Sequence, residues 1–446
     1  MQTRRDKIGY EMMLLPSLES FIPEDHYLRR LDKVLDLSFI HDFVSDKYCQ
    51  TNGRPSIDPE VVVRLFLIQA IDGITHVREL MRQVQVNLAY RWFIGYGLDE
   101  KLPDHSTLSK ALDRFGDDVF NELFERSIAH CKKSGLIEGK VLHVDATTIR
   151  ADINRERVNK PDSPDPDARW GKFPGRRVLP GYKQQTVVDD QSRVILGLSV
   201  VPANKSEHDS AVDVVDSALK HLDSPPDTVC ADAAYASGNN SAAMEKRGIR
   251  FISPPPKAIN QMKGLCFTVE DFKYDEELDI FICPAGSILK NIGVVKDRPH
   301  QRVYAGLRSV CRKCEFKDKC TRSSRRTLKV GVNHAALIRL RTDSKTDSFK
   351  QLYKSRAPMV EGIFGEAKQW HGLRRAWRRG MSKMRVQCLL IAAVLNFKRL
   401  TAVFYALFAP YIDFKTVHNL ISVVIVRFLP ETSPHNKTDV KIVCQS

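Results

Sequence analysis

The chain has 446 residues, 43% hydrophobic and 28% charged, as expected of a globular protein with two or three domains and full cores. Lys and Arg total 69 against 54 acids, and the resulting net charge of +15 points to a polyanionic partner, most simply nucleic acid. No long basic amphipathic helix favours a membrane surface, no apolar stretch near Met1 reads as a signal peptide, and Asn396, Lys398, Arg399 and Pro410 interrupt the most apolar late run.

A cytoplasmic, nucleoid-associated protein is therefore expected. Its ten cysteines then read as thiols or metal ligands rather than disulfides.

Taken in order, Leu28, Leu31, Val34, Leu35 and Leu37 predict one or two short helices. Gly53-Arg54-Pro55 makes a turn. Asp58 and Pro59 then open a helix as cap and first residue, and Val62, Leu65, Phe66 and Ala70 follow at helical spacing. Gly73 ends that helix, Thr75 is a candidate cap for the next, and Ser106 a candidate cap for a third within Pro103-Asp104-His105-Ser106-Thr107. Arg64, Arg78, Arg82, Arg91 and Lys110 lie among these helices. They suit a small DNA-binding domain or, equally, a packing domain with a solvated basic face.

Val141-Leu142-His143-Val144-Asp145 reads as a short buried strand ending in a carboxylate. Residues 159–180 carry five prolines with Asp162, Asp165 and Asp167 among them, and read as a polar surface loop. Gln184–Val188 and Arg193–Val201 form a predicted hairpin around Asp189-Asp190-Gln191-Ser192. Ser206-Glu207-His208-Asp209 caps a helix. Thr228-Val229-Cys230-Ala231-Asp232 is then a second short strand ending in Asp. That order suits a mixed α/β sheet with both aspartates at one edge.

Beyond Pro254-Pro255-Pro256 the pattern weakens, and Cys283, Cys311, Cys314 and Cys320 cluster in what reads as an insertion. A helix is predicted from Pro358 through Lys368, followed by the densest basic block, Leu373–Gly380, and a last core helix over Lys383–Leu400. The expected divisions are a helical domain over 1–135, a split core over 136–253 and 351–400 around an insertion over 254–350, and a tail over 401–446.

A buried strand-end carboxylate is either a turn cap or a charge that needs compensation. Two such aspartates and the helical Glu361 would repel one another unless divalent cations lay between them. Oxygen-only donors favour Mg²⁺ or Mn²⁺, expected as a pair in chemistry on a phosphodiester. Glu366 is the competitor to Glu361 but lies on another face of the helix. Cys311-x2-Cys314 with Cys320 and the more distant Cys283 fits a four-thiolate structural Zn²⁺ site, against the reading of idle reduced thiols. Cys49, Cys131, Cys230 and Cys388 read as core residues, His143 as packed on the sheet, and His208-Asp209 as a cap. Trp370 and Trp377 suit either base stacking or core packing.

His143-Val144-Asp145-Ala146-Thr147, Cys230-Ala231-Asp232-Ala233-Ala234-Tyr235 and Val360-Glu361-Gly362-Ile363-Phe364-Gly365 occur in that order. Lys368, Gly372-Leu373-Arg374-Arg375, Arg379-Gly380 and Leu395-Asn396-Phe397-Lys398-Arg399-Leu400 follow. Together they resemble the DDE transposases of bacterial insertion sequences, over about residues 10 to 400. The resemblance implies an α/β fold: an all-helical N-terminal DNA-binding domain and a ribonuclease-H-like mixed-sheet core with a Cys-rich insertion.

It further implies Asp145, Asp232 and Glu361 as catalytic, Mg²⁺- or Mn²⁺-holding acids, with DNA contacts from Tyr353, Arg356, Lys368, Arg374, Arg375, Arg378 and Arg379. Arg356 stands one residue further from Glu361 than the commoner family pattern. The implied activity is binding of terminal inverted repeats, cleavage at the element ends and joining to target DNA by a homodimer. The rivals are an inactive DNA-binding descendant and a nuclease without strand transfer.

Overall fold

The computed structural model describes residues 17–49, 56–256 and 267–408. Gly53-Arg54-Pro55 and all but the start of the predicted tail lie outside the described residues. Eight helices come first: α1 (Leu18–Phe21), α2 (Tyr27–Val34), α3 (Phe39–Phe43), α4 (Pro59–Ile71), α5 (Val77–Val86), α6 (Leu88–Ile94), α7 (His105–Phe115) and α8 (Asp118–Lys133).

α4 starts where its sequence dictates. Asp58 accepts the Glu60 amide at 2.8 Å, and Pro59, which has no N–H to lose, fills the first position. Every residue from Val61 to Ala70 is buried, so α4 is the hub of the helical layer. Thr75 and Ser106 are not the caps. His76 precedes α5 without a side-chain bond, and Asp104 caps α7 by accepting the Ser106 amide at 2.8 Å.

The first sheet contains β1 (Val141–Arg150), β2 (Arg169–Phe173), β3 (Arg177–Asp189), β4 (Ile195–Pro202), β5 (Thr228–Ala231) and β6 (Arg250–Ile252). β3 runs antiparallel to β1, with Asp145 opposite Thr186, and pairs on with β4 and β2. β5 and β6 continue the sheet from the other edge of β1, parallel to it. The order β4-β3-β1-β5-β6, with α9 (Ala211–Leu219) and α10 (Gly238–Glu245) as connections, is a ribonuclease-H-like arrangement.

The predicted loop over 159–180 differs from expectation. It contains β2, and Asp165 is fully buried rather than solvated. The Asp165 carboxylate accepts the Tyr182 hydroxyl at 2.5 Å and the Ala168 and Gly380 amides at 3.3 Å, bonds that replace water.

A second, antiparallel sheet follows: β7 (Lys273–Asp275), β8 (Ile280–Ile282), β9 (Ile288–Val295), β10 (Arg298–Ala305) and β11 (Thr327–Gly331). It has its own core of Phe272, Phe281, Leu289, Tyr304, Leu328 and Val330, with Cys283 and Cys320 packed against it. Short helices α11 (Arg308–Arg312) and α12 (Lys317–Cys320) lie between β10 and β11.

The chain then returns through α13 (His334–Asp343), α14 (Asp347–Trp370) and α15 (Met381–Phe408). α14 begins eleven residues earlier than predicted. Thr346 caps it, and Pro358 lies inside it rather than at its start. Residues 381–403 are long and apolar enough to cross a membrane, yet 72% of their most apolar window is buried in the protein. Lys398 and Arg399, read as interruptions, sit within this continuous helix.

Candidate active site

β1 does not end at Asp145 as predicted but runs on to Arg150, because β3 pairs with it along that whole length; the register of β1 and β5 still places Asp145 and Asp232 together. Val144 is the partner of Ala231, so Asp145 and Asp232 emerge next to each other where β5 stops and β1 runs on. Asp232 caps the following turn by accepting the Ala234 amide at 3.0 Å, and its carbonyl accepts the Ser253 hydroxyl at 2.6 Å. These bonds fix its backbone. Burial raises the Asp145 carboxyl above the ordinary range, although Arg356 opposes the shift. Burial also raises Asp232, helped by the charges of Asp145 and then Glu207.

α14 crosses β1, β5 and β6 and brings Arg356 onto this pair. Its guanidinium donates to the Asp145 carboxylate at 2.9 Å and lies 5.7 Å from the Tyr353 ring centre. Arg356 thus compensates Asp145 directly and, more weakly, Asp232, both half-buried. Lys368, two turns past Glu361, is half-buried; burial and the Arg374 charge lower its pKa, while Asp145 acts to raise it.

Glu361 itself is exposed, and the strongest charges on Asp145 come from Arg356 and Glu207 instead. Glu366 is engaged elsewhere. It accepts Arg399 at 2.6 Å and also Lys398, with His371 3.9 Å away. Among the described residues, no group of three or more His, Cys, Asp or Glu is placed to hold a metal ion.

Glu207, on the loop between β4 and α9, was read from sequence only as part of a helix cap. It pairs with Lys183 at 2.9 Å, and its charge reaches Asp145, Asp232 and Tyr235. His143 is fully buried and bonds Asp190 at 2.6 Å, a structural role. His208 pairs with Asp209 at 3.0 Å ahead of α9.

The basic block lies beyond the end of β1. Arg150 donates its amide to the Arg374 carbonyl at 3.2 Å, and Ala376 donates back to Arg150 at 2.8 Å. Buried Gln387 holds the block's loop by accepting the Trp377 amide at 2.9 Å and donating to the Gly372 and Arg375 carbonyls. Arg375 and Arg379 both bond Asp152, while Arg374 is exposed. Arg378 contacts the Ser109 hydroxyl at 3.4 Å and, with Trp377, lines an open cavity of about 460 Å³ shared with Arg78, Arg82 and His105. Trp370 is 63% exposed.

Cys311, Cys314 and Cys283 gather near Cys320, whose thiol burial and these three neighbours push up. Ser287 donates its amide to the Cys283 sulfur at 3.3 Å. Cys131, Cys230 and Cys388 are buried as expected, whereas Cys49 is exposed.

A family model described as a transposase domain (DUF772) matches residues 16–114, and one described as a transposase DDE domain matches residues 282–401. Two separate stretches of the chain thus match transposase domain models. The second match spans Glu361, Lys368, the four cysteines and the basic block, while Asp145 and Asp232 lie between the two matches.

Among solved structures, the chain is similar to a piggyBac transposase synaptic complex with hairpin DNA. That match has 10% identity and a TM-score of 0.35, covering 93% of this chain and 88% of that one. A Mos1 transposase paired-end complex with the left transposon end matches at 10% identity and a TM-score of 0.17, over 55% and 69% of the two chains. A Mos1 mariner paired-end complex with Mn matches at 10% identity and 0.16, over 53% and 68%. No curated protein matches the chain.

Proposed function

We propose that the chain is a transposase that binds the terminal inverted repeats of an insertion sequence, hydrolyses a phosphodiester at each end and joins the freed 3′-hydroxyl to target DNA. The observation that carries the reading is the placement of Asp232, just past the end of β5, beside Asp145 of β1, both half-buried, with the Asp145 charge raising Asp232 further. Two oxygen donors with a guanidinium as their present compensation fit a hard divalent cation, Mg²⁺ or Mn²⁺, and two ions suit the chemistry. Such ions, when bound, supply charge neutralisation and activation of water or a sugar hydroxyl.

The protein's own groups would do the rest. Asp145, Asp232 and Glu361 would hold the metals. Lys368, Tyr353 and Arg356 would hold phosphate oxygens, and Arg374, Arg375, Arg378 and Arg379 would follow the strand away from the site. Both reactions are in-line displacements at phosphorus, so one site serves both. Paired ends call for a homodimer on DNA. The gathered cysteines would hold Zn²⁺ as a structural ion beside the second sheet, which metal content of the purified chain tests.

The deciding experiment uses DNA carrying the element's own ends in Mg²⁺, with wild type beside Asp232→Ala. Wild type is expected to yield 3′-hydroxyl ends and joined product, and the variant to bind but do neither. Cleavage by Asp232→Ala at the wild-type rate would overturn the assignment. Binding by both without cleavage by either would favour the inactive DNA-binding descendant.

A further inference from the structure

Net charge is not spread evenly along the chain. Residues 288–331, from the start of β9 to the end of β11, contain thirteen Lys and Arg against three Asp and Glu. The remaining residues are nearly balanced, with 56 basic against 51 acidic, so this segment carries +10 of the chain's +15. Acids of the second sheet gather instead at its β7–β8 edge. There Glu276 pairs with Arg339 of α13 at 2.7 Å, and Asp279 accepts the Tyr274 hydroxyl at 2.8 Å and the Asn291 amide group at 2.9 Å. Arg302 reaches Asp279 at 3.3 Å. Lys290, Lys296, Arg298, Arg308, Arg312 and Lys329, by contrast, are exposed and form no ion pair among the described residues.

The strand register arranges these cations. Leu289 and Leu328 face the core of the sheet, so Lys290 and Lys329, one residue along each strand, face away from it. Lys290 stands opposite Ala305 and Lys329 opposite Val303, which puts both lysines on one face. β8 pairs with β9 only over 288–290, and β11 pairs with β10 only over 301–305. Residues 291–300 therefore extend past their neighbours as a two-stranded ribbon, exposed at every position but Val295, with Lys296 and Arg298 at its tip. Arg308 and Arg312 of α11 follow the other end of β10, which lies roughly 24 Å along the strand from Arg298.

A face with cations along it and no carboxylates among them repels itself and attracts a polyanion. Duplex DNA fits on two counts. Its phosphates recur about every 3.4 Å along each strand, matching cations spread over that length. A two-stranded ribbon is also of a width that the major groove admits, and exposed Ile292 and Val294 give it apolar contacts for base edges such as the thymine methyl.

We propose that the β9–β10 ribbon, the face of Lys290 and Lys329, and α11 form a surface that binds duplex DNA, distinct from the basic block over 373–380. This rests on the DNA-binding reading above and not on the metal site.

The test uses the full chain as purified and measures duplex affinity by fluorescence anisotropy between roughly 50 and 200 mM salt. Wild type is compared with the double variant Lys296→Gln, Arg298→Gln, with a thermal melt of each. The variant is expected to melt as wild type does and to lose about 2 from the slope of log affinity against log salt, one for each phosphate contact removed. A loss of about 1 or more supports the surface, and a smaller one overturns it while the DNA-binding reading stands. Failure of wild type to bind any duplex overturns both.

A second measurement needs no variant. Wild type is acetylated at lysine with and without duplex, and the modified positions are read by mass spectrometry. Lys290, Lys296 and Lys329 are expected to be labelled several-fold less in the complex. Equal labelling overturns the proposal. So does protection of the same lysines at rising protein concentration without DNA, which would assign the ribbon to a contact between copies of the chain.

Discussion

Glu361 and Glu366 stand about one and a half turns apart on α14 and have opposite surroundings. Burial alone would raise the Glu366 carboxyl, but His371, Arg399 and Lys398 together hold it far below the ordinary carboxylate range. A depressed folded-state pKa contributes stability above the unfolded value, near 4.5, and that contribution fades as pH falls through the folded value. Glu366→Gln should therefore cost about 2 kcal/mol in urea unfolding at pH 7, with the gap to wild type narrowing below about pH 4. Glu361→Gln, at an exposed position, should unfold within about 0.5 kcal/mol of wild type while losing end cleavage. A reversed pattern would make Glu366 the functional acid. Sequence reasoning puts these two glutamates on different helix faces, because a 3.6-residue period is a local property. The Glu207–Lys183 pair escapes it, because its members are distant in sequence and meet only after folding.

Helix α15 illustrates how an element can read as simple hydrophobic core and still carry polar architecture. Asn396 is fully buried; its side-chain oxygen accepts the Ile195 amide at 2.8 Å, and its nitrogen donates to the Ile195 carbonyl at 3.0 Å and the Ser127 hydroxyl at 3.1 Å. One side chain thereby joins α15 to α8 and to the first residue of β4. Asn396→Leu leaves a buried backbone amide and carbonyl without partners, so a loss of about 2–4 kcal/mol is expected in chemical denaturation. A loss under about 0.5 kcal/mol would show that water takes over these bonds.

The elements misplaced by sequence share a cause. β2 is hidden by the prolines and acids around it, because its pairing with β3 comes from the sheet and not from local propensity. The start of α14 is hidden by Pro358, which punctuates a sequence but is tolerated inside a helix that packs on β1 and β5. The starts of the strands that carry or precede Asp145 and Asp232 were legible because short β-branched runs are local patterns, whereas the run of β1 on to Arg150 comes from its pairing with β3.

For the whole molecule, the excess of 15 positive charges sets a non-specific attraction to DNA that salt weakens. The charge is not equally available over the basic block. Asp152 engages both Arg375 and Arg379, whereas Arg374 is exposed and its guanidinium bonds the Lys368 carbonyl at 3.1 Å, leaving its charge uncompensated by that contact. A cation already paired with a carboxylate gains less from a phosphate, since one ion pair replaces another. Duplex binding measured between roughly 50 and 200 mM salt should thus respond unequally to the two substitutions. Arg374→Ala should reduce the slope of log affinity against log salt by about 1 and weaken binding evenly across sequences, as for the loss of one phosphate contact. Arg375→Ala should change the slope by less than half as much, roughly. Equal slopes for wild type and Arg374→Ala would remove this segment from the DNA path and move attention to the Arg78, Arg82 and Arg378 cavity, where the helical layer and the basic block meet.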